Sequence, residues 1–220
     1  MNRFPIAAAL STALLGTAAA PAATAADTAR YEVRFERTWS SSTHPADFPL
    51  LAHFSPVIGV THNGGYAPFA AGGQATPGLE ALCETGKHQP LDAEIRAAIQ
   101  QGDAGALIET PDPLRQVPQT ATTTFAIDAA HPMVSIGAMI APSPDWCALA
   151  ADVQLYEDGA WVAQKTVVLE AWDVGTDSAA SYRAFDADMQ PRGKMTESES
   201  PYFVKQGKRM PVGTLTFVRQ

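Results

Sequence analysis

The chain has 220 residues, with 15 Lys and Arg against 23 Asp and Glu, a formal net charge of −8 and 46% hydrophobic residues. That length fits one folded domain behind a short leader. The acidic balance argues against nucleic acid or anionic lipid as a partner, and no stretch beyond the leader is apolar enough to cross a bilayer.

Asn2-Arg3, a short apolar run over residues 6–15 and small residues ending in Ala23-Thr24-Ala25 read as a secretory signal peptide, residues 1–25. The run is too short and alanine-rich for a comfortable membrane anchor. No cysteine follows the cleavage site, which argues against a bacterial lipid anchor. The expectation is an exported domain over residues 26–220, periplasmic or extracellular.

Residues 31–38 alternate, with Tyr31, Val33 and Phe35 on one side and Glu32, Arg34 and Glu36 on the other, as in a half-buried strand. A Ser-, Thr-, His- and Pro-rich loop over 40–49 precedes an apolar run at 54–61, and Asn63-Gly64-Gly65 marks a turn. Residues 77–85 suit a short helix ended by Gly86. Residues 91–101 suit a longer one, with Leu91, Ile95 and Ile99 every fourth residue and Gly102 as its cap. Residues 110–119 are proline-rich and read as irregular. Strands are expected at 122–127, 133–140, 148–156, 161–169 and 213–218, with Glu157-Asp158-Gly159 as a hairpin turn. Many strands and two short helical insertions predict a mainly β protein, a β-sandwich.

Cys83 and Cys147 are the only cysteines. In an oxidising compartment such a pair forms one disulfide; two buried free thiols are the alternative. A cysteine-based zinc site would need more ligands than the chain has.

The motif richest in chemistry is split. Pro142-Ser143-Pro144-Asp145-Trp146 lies upstream, and Trp172-Asp173-Val174-Gly175-Thr176-Asp177-Ser178 follows. Gly175 lets the chain curl so that Asp173 and Asp177 aim at one point. Three carboxylates with carbonyls nearby suit a hard cation such as calcium, which takes six to eight oxygen ligands. Polar turns that bind nothing are the other reading of the same spacing. Asp186 and Asp188 form a second acidic pair, expected on a solvated loop. His44, His53, His62, His88 and His131 lack ligand-type spacing and read as structural. No Gly-x-Ser-x-Gly elbow or phosphate-binding glycine loop occurs. Tyr66-Ala67-Pro68-Phe69 is either an exposed contact tip or a segment folded back on the domain.

In combination these pieces resemble the spondin domain, the N-terminal module of the F-spondin and mindin family of extracellular matrix proteins. The resemblance runs in order through Thr38-Trp39-Ser40, Thr43-His44-Pro45, Asp47-Phe48-Pro49 and His53-Phe54-Ser55-Pro56-Val57-Ile58-Gly59. It continues through the Pro-Ser-Pro-Asp-Trp block, Gly159-Ala160-Trp161, the Asp-x-Gly-Thr-Asp block and Ser200-Pro201-Tyr202-Phe203. It implies a C2-like antiparallel β-sandwich holding calcium through Asp145, Asp173 and Asp177. Some family members use an acidic residue upstream; here Ala126 stands at that position, with Asp128 two residues on, or a carbonyl or water, as substitutes. The functional expectation is a secreted calcium-binding adhesion or recognition module for a protein or surface glycan, and not an enzyme. The alternatives are a metal-dependent hydrolase using the acidic site and a calcium-stabilised envelope protein without a dedicated ligand.

Overall fold

In the computed structural model, which describes residues 28–220, strand β1 spans Thr28–Arg37 and begins ahead of the alternation that announces it. The leader lies outside the described residues. The apolar run at 54–61 is broken at Pro56, which has no amide hydrogen to give a ladder. It divides into β2 (His53–Phe54) and β3 (Ile58–His62). Helices α1 (Pro77–Thr85) and α2 (Leu91–Gln101) have the expected bounds. Thr76 caps α1 by accepting the Leu79 amide on its hydroxyl, and Gly86 and Gly102 end the helices in the left-handed region. Strand β4 (Ala104–Glu109) has no counterpart among the expected strands: Ala104-Gly105-Ala106 gives almost no apolar periodicity to read.

Strands β5 (Gln119–Asp128), β6 (Met133–Ala141) and β7 (Trp146–Gln154) follow. Short β8 (Tyr156–Glu157) and β9 (Ala160–Trp161) form the expected hairpin, with Asp158 and Gly159 both at positive φ. That hairpin does not join two long paired strands. Beyond it the chain leaves for the other sheet as β10 (Gln164–Leu169) and returns as β11 (Ala171–Asp173). The remaining strands are β12 (Thr196–Glu197), β13 (Val204–Lys205), β14 (Lys208–Arg209) and β15 (Gly213–Arg219).

Two antiparallel sheets make the sandwich. One has the order β10-β15-β1-β5; the other has the order β12-β11-β7-β6-β3-β4, with β2 added against β6. Tyr31, Val33 and Phe35 of β1, with Leu215 and Phe217 of β15, face Val134, Ile136, Ala138 and Ile140 of β6. The alternate β6 residues Met139 and Ala141 face outward, where Leu79, Leu82, Leu91 and Ile95 of the helices cover them. The helices are therefore a third layer, and this is why β6 is buried along nearly its whole length rather than on alternate residues. Tyr66-Ala67-Pro68-Phe69 folds back, with Phe69 buried in the helix-side core. No helix among the described residues is long and apolar enough to cross a membrane.

Register puts the site at one end. Arg37 pairs with both Gln119 and Gly213, His53 pairs with Ala141, and Trp146 pairs with Asp173. The connections 38–52, 110–118, 142–145 and 174–195 consequently emerge together.

Candidate metal centre

Asp145 ends the connection from β6 to β7, where Ser143 accepts the Trp146 amide on its hydroxyl at 3.1 Å and tightens the turn. The hydroxyl of Ser143 is thus a turn group. Asp173 ends β11, directly across the ladder from Trp146. Asp177 follows the bend at Gly175, whose φ is +74°. A Cβ there would stand 2.7 Å from the carbonyl carbon of Gly193, so glycine is required for both angle and space. The Gly193 amide donates to the Gly175 carbonyl at 2.7 Å and the Met189 amide to that of Thr176 at 2.7 Å, folding residues 189–193 over the bend.

The three sequence-expected aspartates lie near enough here for their charges to act on one another. Asp145 is fully buried. Its Oδ2 accepts the Thr176 amide at 2.8 Å and the Asp177 amide at 3.3 Å, while its Oδ1 is buried with no hydrogen-bond partner. Asp173 accepts the Gly175 amide at 3.1 Å and a bond from the Trp146 side chain. Asp177 accepts the amides of Ala179 at 2.7 Å and Ala187 at 3.2 Å. Burial, and next the charge of Asp173, pushes Asp145 up to about 6 against the pull of the two amides. Burial raises Asp173 too. Beside them lies a cavity of about 350 Å³ lined by Trp146, Asp173, Asp177, Ser178, Met189 and Ser200.

The donor chemistry fits a hard cation: oxygen groups only, one of them buried and unsatisfied, with like charges that a cation would neutralise. Among the described residues, no group of three or more His, Cys, Asp or Glu stands in an arrangement that could hold a metal ion as it is. Mutual repulsion opposes closing such an arrangement without a cation.

Neither the counterpart of the upstream acid nor its nearest substitute reaches the site. Ala126 is an exposed residue of β5 paired with Arg30. Asp128 sits where β5 turns into β6, bonded to His131 at 2.9 Å and to the amides of Ala130 and His131. The nine residues of β6 separate that turn from the Asp145 turn, roughly 30 Å at about 3.3 Å per residue. Asp128 therefore does not complete the site. The acid that does stand near it, Glu84 of α1, carries no signal in the sequence because it belongs to a helix. Burial raises its pKa, the Thr176 side chain bonds to it, and Asp177 is among its neighbouring charges. Asp186 and Asp188 are exposed, as expected.

Cys83 and Cys147 form a disulfide, with Cα atoms 5.4 Å apart. It fastens α1 to β7 two residues beyond Asp145. Trp146 is buried among Tyr182, Tyr202 and Phe203, with ring centroids 5.2–5.8 Å away. The histidines stand apart. His44 packs on Phe203, His53 bonds the Leu51 carbonyl, His88 pairs with Glu109 and His131 with Asp128. His62 and Ser135, 2.8 Å apart, are both wholly buried, and Ser135 also accepts the Asp152 amide. That is a core hydrogen-bond network rather than an accessible nucleophile.

The Spondin_N family profile matches residues 29–211, a span that includes every residue of this centre. The chain belongs to the Spondin_N family. Spondin-1 of Gallus gallus is 32% identical over 198 residues, covering 83% of this chain and 24% of its own length. Spondin-1 of Homo sapiens is 31% identical over the same coverage, and Spondin-2 of Rattus norvegicus is 29% identical over 89% of this chain and 63% of its own length. The Spondin_N chain thus spans about a quarter of the Spondin-1 proteins it matches.

Proposed function

We propose that this Spondin_N chain is an exported, calcium-binding recognition module that engages a protein or surface glycan through the loop end of its sandwich. The observation that carries the calcium reading is the buried, unpartnered Oδ1 of Asp145 beside Asp173 and Asp177. Asp145, Asp173 and Asp177 would hold the ion, with carbonyls or water completing its shell. The bound ion would supply positive charge that cancels the repulsion among them and ties the Asp145 turn to the 173–177 bend. Its role is structural, which agrees with histidines that stand elsewhere in the molecule.

Export is supported by the disulfide, which suits an oxidising compartment. Recognition at the loop end is supported by Leu50, Leu51, Val117 and Phe185, large apolar residues exposed on three of the four connections that emerge there.

Purified protein is expected to carry calcium and to melt several degrees higher in millimolar calcium than in chelator, a gain that Asp173→Asn or Asp177→Asn reduces. Metal-free protein with no thermal response would reject the calcium reading. Capture of envelope or extracellular material on the immobilised chain, lost on Leu50→Ser/Leu51→Ser or Phe185→Ser, tests recognition; capture unchanged by all three substitutions would place the contact elsewhere.

A further inference from the structure

The acidic site is gripped from behind by a group that its motif does not contain. Arg192 donates through Nη1 to the Thr176 carbonyl at 2.7 Å and to the Met189 carbonyl at 3.3 Å, and also bonds Asp188. Through Nη2 it donates to Glu80 of α1 at 2.6 Å. Both side chains of that last pair are about a quarter exposed, so the contact is sheltered rather than a loose surface pair. Helix α1 is itself pinned to β7 by Cys83–Cys147.

The Thr176 carbonyl belongs to the same peptide unit as the Asp177 amide. A trans peptide is planar, with its C=O and N–H pointing in opposite directions. Holding that carbonyl on the Arg192 side therefore aims the Asp177 N–H at the other side, where it meets Asp145 Oδ2 at 3.3 Å. A carbonyl bonded to a guanidinium also makes its partner N–H a better donor. With Oδ2 occupied by the Thr176 and Asp177 amides, Oδ1 of Asp145 is the oxygen left for a cation.

We propose that Arg192 is a positioning residue for the cation site, acting through the Thr176–Asp177 peptide to orient Asp145, with Glu80 as the anchor that steadies the guanidinium. The inference rests on the calcium reading given above. The expected sign is counterintuitive. Arg192 is a positive charge close to the acidic site, so on electrostatics alone its removal would tighten calcium binding. If it orients Asp145, its removal loosens binding.

Calcium titration by calorimetry on the unaltered chain, Arg192→Gln and Arg192→Lys, alongside melting in chelator, separates the two. Arg192→Gln is expected to weaken calcium about tenfold or more, the scale of an outer positioning contact. Arg192→Lys keeps the charge and loses the fork, and is expected to weaken it severalfold. Unchanged or tighter binding in Arg192→Gln overturns the proposal. If that variant does not fold, the lysine variant decides alone, and an unchanged dissociation constant in it overturns the proposal. A lower melting temperature in chelator with no shift in affinity assigns Arg192 to fold stability only and likewise overturns it. An unaltered chain that binds no calcium overturns the calcium reading itself, and with it the role given to Arg192.

Discussion

At the scale of single residues, Asp145 and Gly175 carry opposite expectations. Asp145 is buried with a carboxyl pushed up to about 6, so the fold disfavours its charge. Asp145→Asn should raise metal-free stability at pH 7.5 by about 1–3 kcal/mol, since a tenfold change in proton affinity corresponds to about 1.4 kcal/mol. The same change should abolish the calcium-dependent gain; melting in chelator and in calcium reads both. Gly175→Ala works the other way. Its φ of +74° and the 2.7 Å approach to Gly193 leave no place for a methyl group. A loss of roughly 1–3 kcal/mol is expected in denaturant titration, together with weaker calcium binding as the bend shifts. The three aspartates are legible in the sequence because a glycine between two of them advertises the bend. Arg192 and Glu84 are not. One is a basic residue in an irregular connection, with no motif around it, and the other faces the site from a helix. Only the folded chain brings them to Thr176.

Among the elements, α1 matters most to the site. Its bounds are readable from Gly86 at its end, and a disulfide is one of two readings for its cysteine. What cannot be read is its destination, because which layer a short amphipathic helix covers depends on sheet order. The helix bears Cys83 toward β7 and Glu80 toward Arg192, so it braces the site from two points. Replacing both cysteines by alanine should cost about 2–5 kcal/mol in chemical denaturation, with a bridge of 64-residue separation near 4 kcal/mol in the chain-entropy picture. It should also weaken calcium, which a titration of the double variant checks. Strand β6 teaches a related lesson. Its largely apolar run is right for a strand, but its meaning, coverage on both faces, emerges only with the helical layer in place. The hairpin at Asp158-Gly159 is legible as a turn and misleading as topology, since the strands around it belong to different sheets.

For the whole molecule, the raised carboxylates give an unusual response to acid. A carboxyl with a folded pKa above its unfolded value binds its proton more tightly when folded. Its contribution therefore grows as pH falls from about 6 toward the unfolded value near 4, and is absent at neutral pH. Asp173 and Glu84 shift in the same direction. Calcium held by Asp145 and Asp173, as proposed, would need both ionised, so protons would compete with it. The difference in melting temperature between calcium and chelator should shrink steadily from pH 7 to pH 5. A difference that stays constant across that range would remove the buried carboxylates from the site.

The pairing of β1 with β15 has a consequence for how the molecule comes into being. Residues 31–37 lie between β5 on one side and residues 213–219 on the other. The first strand can pair with β5 early, but β10 joins it only through β15, so that sheet is not complete until residues 213–219 are in place. Contacts so distant along the chain make for slow closure. An exported chain with this strand order would stay open and threadable during translocation and close its sheet on the far side, where its cysteines can be oxidised.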